Sequence, residues 1–439
     1  MIMRLCVRGS IVRLVLLVVA LCVLTSSCTS VDTQPRLESL AAPLVDQKHT
    51  STDAYRNALH TLESRLKNAK SPDPFILEEQ TFEFGWCQRP PSRNSTLKDL
   101  TTRLELQSAI ARDFAQLYAI TNSEEAYQKA IDHILSWAQH ASLFNTYEQG
   151  MDPATASFPG VERGFCNRSW NMMLDSIWQT YGLINFSEAY SILKHSGLST
   201  SYSIELETIR SWLKTKLVPA VNSGLHAWTK YADLNPRSAA YIRYRSDNHI
   251  SWSLAGLATA GVALNDKHLL DYVYYGTAYD DGISGMYENP SSLIKFIPYA
   301  IKPSGEVFDE AERSRQHKGF FYGNFSLWAL IVAAINTDKA GYPPIWETQM
   351  TETSGTVAGA LDRYAPYVAN ISPIIDTEEK TKPEFFSFIY RLIAPMEWVQ
   401  GERKSLYIKA AQAPYPQVVR QGLGSIDLIS ISPENFENN

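Results

Sequence analysis

Ala126-Tyr127-Gln128-Lys129-Ala130-Ile131-Asp132-His133-Ile134-Leu135-Ser136-Trp137-Ala138-Gln139-His140 carries its apolar side chains at helical spacing. Ile131, Ile134, Leu135 and Trp137 fall on one face of a helix, which needs a partner to cover it. Outward from this stretch the same pattern repeats. Leu59, Leu62 and Leu66 mark one such face, and Leu106, Ile110, Phe114 and Leu117 mark another within Leu97–Ile120. Further helices are expected near 166–185, 203–221, 248–264, 318–336, 355–369, 383–394 and 403–412. Strand-like alternation is scarce before Val418–Ser432, where Ile429-Ser430-Ile431-Ser432 would close one terminal strand. About ten helices separated by polar loops predict an all-α chain of antiparallel helical hairpins, packed as a bundle or a toroid. No fixed-period repeat of the solenoid kind is visible.

The N-terminus reads as an export signal. Arg4, Arg8 and Arg13 precede the apolar run Leu14–Leu24, too short for a bilayer-spanning helix of about 20 residues. Leu24-Thr25-Ser26-Ser27-Cys28 resembles the lipobox of bacterial lipoproteins, with Cys28 as the lipidated residue and Thr25 where leucine is usual; an ordinary signal cut near Ser27 is the alternative. Thr29 after the cysteine resembles lipoproteins sorted to the outer membrane, so a lipid-anchored protein of the cell envelope facing the periplasm is expected. No later stretch is expected to span a membrane. Residues 1–28 are thus read as signal peptide, 29–50 as tether, 51–415 as the helical domain and 416–439 as a C-terminal tail. Loss of Arg4, Arg8 and Arg13 takes the formal net charge from −6 to −9. That balance argues against a nucleic-acid partner, which needs a basic footprint, and means that a polyanion would need a local basic cleft. Cys87 and Cys166 remain to pair or stay free. No CxxC or His/Cys spacing suits zinc, so no metal or other cofactor is expected.

Two loops and two helix starts carry the candidate chemistry. Gly85-Trp86-Cys87-Gln88-Arg89-Pro90-Pro91-Ser92-Arg93-Asn94 cannot be helical across its prolines. Arg89 and Arg93 there would either close over an acidic sugar chain or sit solvated on a rigid connection. Gly276–Pro303 reads as a long Gly/Pro/Tyr-rich loop. Ser246-Asp247-Asn248-His249-Ile250-Ser251-Trp252 opens an apolar helix; Asp247 or Asn248 can cap it, while Asn and His together can project into one cleft. Some 60 residues on, Glu312-Arg313-Ser314-Arg315-Gln316-His317-Lys318-Gly319-Phe320-Phe321-Tyr322-Gly323-Asn324-Phe325 runs from basic to aromatic. Arg315 and Tyr322 are two helical turns apart and share a face if the helix is continuous. Each segment alone also suits a plain structural role.

Together, Asn248-His249 followed by Trp252, and the arginine run leading into Tyr322-Gly323-Asn324, resemble the active-site set of the alginate lyases of polysaccharide lyase family five. Ala130–Ala138, with its Trp-Ala ending, is similar to a helix of that family, and the likeness spans about residues 55–400. It implies an α/α toroid, or incomplete helical barrel, with one catalytic domain. There are departures: Asp247 stands where the family commonly has asparagine, Arg313 competes with Arg315, and the Gly85–Thr96 loop lacks the family's lid tyrosine. Arg315 is preferred for its seven-residue step to Tyr322.

The resemblance implies β-elimination on alginate or a related 1,4-linked polyuronate. Asn248 and Arg315 would hold the uronate carboxylate and stabilise charge developing on it. Tyr322 would take the C5 proton and return one to the leaving oxygen, a role that calls for cationic neighbours because a phenol is mostly protonated at neutral pH. His249 would support charge or serve as base for the opposite epimer. Arg89, Arg93, Arg245, Trp252 and Lys318 are the expected substrate contacts. The expected partners are the acidic polysaccharide and, through the lipid, a membrane, for a monomeric protein. One rival is a helical-barrel glycoside hydrolase using two carboxylates drawn from Asp280, Asp281, Asp309 and Glu310. A second is an envelope lipoprotein that binds polysaccharide without cleaving it.

Overall fold

The computed structural model describes residues 59–76 (except Thr61 and Arg65), 95–147, 176–234 and 243–413. The signal, the tether, Cys28, Cys87, Cys166, the Arg89/Arg93 loop and the tail with its expected strand lie outside the described residues. Helix α1 (Ser95–Thr121) and α2 (Glu124–His140) form a hairpin. Its turn needs only Asn122, in the left-handed region at φ 55°, and Ser123, whose side chain accepts the N–H of Ala126. Asparagine tolerates that conformation and serine is a favoured cap, so the sequence ends one helix and starts the next within two residues. The inward face of α2 buries Tyr127, Ala130, Ile131, Ile134 and Trp137.

Three helices form the centre. They are α3 (Thr180–Lys194), α7 (Asn248–Leu264) and α11 (Gly319–Lys339). Between the first two come α4 (Ser203–Trp212), a π-helical turn at Leu213–Leu217, α5 (Val218–Leu234) and the short α6 (Arg243–Ser246). All of α7 is buried, which explains why its sequence is apolar or small all round rather than striped. Small residues bring its neighbours close. A Cβ on Gly256 would sit 2.1 Å from Thr180 Oγ1, and that hydroxyl donates to the Trp252 carbonyl at 2.8 Å. The α7–α11 pair is the most extensive helix contact, followed by α1–α3 and α3–α7. Helix α11 is long and apolar enough by length and composition to cross a membrane, but its surface is buried in the protein, and the apolarity is that of a core helix.

Gly276–Pro303 is not the plain loop the sequence suggested. After α8 (Lys267–Tyr274), β1 (Tyr279–Asp280) pairs antiparallel with β2 (Met286–Tyr287), and α9 (Leu293–Ala300) follows with Pro298 inside it. Pro298 is the sixth residue of this eight-residue helix, so it lacks the N–H that would otherwise bond back to the Ile294 carbonyl, and the helix ends two residues later. Helix α10 (Phe308–Ser314) leads to α11, and α12 (Val357–Val368), a 3-10 turn at Pro383–Phe386, α13 (Ser387–Ile393) and α14 (Gly401–Ala411) complete the described chain.

Candidate active site

Helix α7 begins at a capping carboxylate that also fixes a histidine. Asp247 Oδ1 accepts the His249 backbone N–H at 3.2 Å, and its Oδ2 lies 2.9 Å from His249 Nδ1. Both side chains are buried. A carboxylate at Nδ1 selects the tautomer with its proton on that atom, leaving Nε2 as a lone-pair acceptor. The ring is held from two sides by Trp178, edge-on at 5.3 Å, and Trp228 at 5.2 Å.

Asn248, the first residue of α7, donates from Nδ2 to Asp309 Oδ1 at 2.8 Å. Asp309 is on α10 and is 2% exposed. Its carboxyl is pushed up to about 8, first by burial and next by the negative charge of Asp247; the Asn248 amide, Arg313 and Ser326 pull the other way. Asp309 therefore holds its proton at neutral pH. Ser251 of α7 and Ser326 of α11 share a hydrogen bond at 3.2 Å, tying the helix that carries Asn248 and His249 to the one that carries Tyr322.

Arg315 and Tyr322 do not share a continuous helix. Helix α10 ends at Ser314, His317 takes the left-handed conformation at φ 54°, and α11 starts at Gly319. The break returns the chain so that Arg313, not Arg315, stands over the Tyr322 ring, with its guanidinium carbon 4.8 Å from the centroid. Arg315 is exposed and makes no ion pair among the described residues. Gly319 allows the return: a Cβ there would meet the Glu310 carbonyl at 2.8 Å. Tyr322 is half-buried.

The expected substrate contacts divide. Lys318 is exposed at the start of α11, and Arg245 is half-buried two residues before Asp247. Trp252 is a correction: it is fully buried among Tyr181, Phe325 and Trp328. It supports the first turn of α7 from inside and offers no face to a sugar. The carboxylates of the hydrolase rival are occupied structurally. Asp280 accepts the Gly282 N–H, and Asp281 accepts from Asn222, Ile283 and Ser284. Glu310 takes two bonds from Arg363 and one from Tyr364. Asp309 carries a further role that the sequence did not mark, since no spacing signal links it to Asn248 across 61 residues.

Residues 46–374 match the family model described as alginate lyase. No curated protein matches the chain significantly. Among solved structures, an alginate lyase from Bacteroides ovatus is similar with a TM-score of 0.56 and 14% identity, over 90% of this chain and 98% of that one. Alginate lyase A1-III from Sphingomonas species A1 gives a TM-score of 0.52 at 13% identity, over 92% and 98%. A variant of alginate lyase A1-III complexed with a tetrasaccharide gives 0.55 at 15%, with the same coverage. At such identities the structural likeness speaks for the fold, which is the α/α toroid that the resemblance implied. The chain belongs to the alginate lyase family, and is a polysaccharide lyase acting on an acidic polysaccharide.

Proposed function

We propose that this protein cleaves alginate, or a closely related 1,4-linked polyuronate, by β-elimination, with its own side chains supplying the charge stabilisation. The observation that carries the reading is the convergence at the start of α7 and α11. Asn248 is oriented by Asp309 at 2.8 Å, His249 by Asp247 at 2.9 Å, and Tyr322 lies under a guanidinium. In the proposed reaction the substrate carboxylate is met by the Asn248 amide and by Arg315, which has no ion-pair partner among the described residues. These groups favour the second negative charge that builds on the carboxylate as the C5–H bond breaks. Tyr322 takes that proton, the C5–H electrons form the C4–C5 double bond, and the C4–O bond breaks. The leaving oxygen is then protonated by Tyr322. Arg313, facing the ring, stabilises negative charge on the phenol oxygen. A protonated Asp309 favours the same chemistry, because an ionised carboxylate there would repel a polyanion.

The test is to mix purified protein with poly-mannuronate and follow the ultraviolet absorbance of the conjugated double bond. A rise in step with chain scission supports elimination; scission without absorbance means hydrolysis, and binding without scission means a non-catalytic protein. We also propose that the chain functions as a monomer anchored in the bacterial envelope, at the outer membrane facing the periplasm, through lipid on Cys28. A Cys28→Ser protein should then leave the membrane fraction with its specific activity intact; continued fractionation with membranes would disprove the anchor.

A further inference from the structure

Beside Tyr322 opens a cavity of about 1030 Å³, at the upper end of the range of roughly 300–1,000 Å³ usual for small-molecule sites. One wall is the start of α11, with Lys318, Phe321 and Tyr322; the other is the stretch 378–385, with Lys380, Lys382 and Phe385. The second wall lies beyond residue 374, where the family match ends.

Two clasps fix that wall to the helix bearing Tyr322. The Glu379 carboxylate accepts the backbone N–H groups of Phe320 and Phe321, each at 2.8 Å, satisfying free donors at the helix start with a favourably placed negative charge. His317, in its left-handed turn, reaches Asp376 and Glu378, each at 3.1 Å. Glu378 is thereby engaged, whereas Lys318, Lys380 and Lys382 have no carboxylate partner among the described residues. Three lysines against two carboxylates, Glu378 and Glu384, leave the lining with a small excess of positive charge in a protein of net charge −6. Behind them Phe321 and Phe385 stand 6.5 Å apart, centroid to centroid.

We propose that this cavity is a subsite for uronate residues flanking the one that reacts. Lys380, Lys382 and Lys318 pair with their carboxylates, and Phe385 packs against the apolar face of a sugar ring. The proposal rests on the polyuronate reading above. It follows from charge and continuity: a chain with a carboxylate on every residue that presents one unit to Tyr322 must lay its neighbours alongside, and the adjoining space offers lysines with no carboxylate partner among the described residues.

The test uses the full protein with Lys380→Gln/Lys382→Gln, two exposed positions whose change leaves the core untouched, and separately Phe385→Ala. On long poly-mannuronate the double variant should raise KM by roughly 3- to 30-fold with kcat nearly unchanged. The effect should fade in high salt and disappear on the shortest oligomer that is cleaved. Binding is also measured directly, by affinity electrophoresis in poly-mannuronate and in a neutral glucan. A wild-type KM and wild-type binding of long chains by the double variant would overturn the subsite while leaving the lyase reading intact. If the protein binds the polymer without cleaving it and the double variant binds more weakly, the subsite stands and elimination falls. Equal retardation by the neutral glucan would overturn the role given to the lysines.

Discussion

Asp247 holds His249 by two atoms at once, its Oδ1 accepting the backbone N–H and its Oδ2 meeting Nδ1 of the ring. An asparagine could cap the helix equally well but could present Nδ1 with a neutral partner only. Asp247→Asn should therefore fold normally and lose about 10- to 100-fold in turnover, less than removal of a direct acid–base group would cost. His249→Gln should hurt cleavage of guluronate, whose C5 proton lies on the face opposite the leaving oxygen, more than cleavage of mannuronate. Assays on the two purified homopolymers decide both points, and equal severe loss on each polymer would show that His249 serves every elimination.

Tyr322→Phe removes one oxygen from a ring otherwise held by Phe321, Phe325 and the Arg313 guanidinium. Thermal stability should hardly change, while turnover falls by about 10²- to 10⁴-fold, the scale for a general acid–base residue. A variant that keeps most of its activity would remove Tyr322 from the mechanism.

The two arginines should separate. Arg315→Ala should lower kcat on the order of 10²- to 10³-fold, as expected for a donor to developing charge. Arg313→Ala removes a cation over a ring and should cost only about 2- to 30-fold. Steady-state kinetics of the two variants in one buffer would reveal the reverse order, which would transfer the carboxylate-binding role to Arg313.

Asp309 makes stability depend on pH in an unusual direction for an aspartate. Its folded carboxyl titrates near 8, against about 3.9 in an unfolded chain. Between those values the folded form binds more protons than the unfolded one, so stability declines as pH rises through the window. Asp309→Asn keeps an oxygen for the Asn248 amide and cannot ionise. Its melting temperature should exceed that of the wild type at pH 8 and approach it at pH 5. Parallel melting curves at the two values would disprove the protonated state.

Most helices were legible in the sequence where burial was one-sided or complete, although α3 runs over Thr180–Lys194 rather than near 166–185, and α8 (Lys267–Tyr274) was not expected. Asn248–Leu264 appears with the bounds its apolar run and its Asp247 cap indicate, because both are local signals. The site was legible only where it coincided with such a start. The break between Arg315 and Tyr322 was not, since it depends on His317 adopting a positive φ that its residue type seldom takes, stabilised by Asp376 and Glu378 some 60 residues away. Trp252 misled for a related reason: an indole one turn after a histidine looks the same in sequence whether it faces a cleft or Phe325 and Trp328. Asp309 and the 378–385 wall are long-range partners, and no spacing rule reaches that far.

The proton on Asp309 has one more consequence. Because burial and the charge of Asp247 push the Asp309 carboxyl up, a mildly alkaline medium is expected to bring both of its protonation states into play, one charge apart at the group that orients Asn248. Progress curves there would average over a neutral-acid enzyme and an anionic one, and acidifying the medium would favour the former. Molecules of one sequence would then differ in charge at a single buried group, and rates in alkaline media would report on both forms.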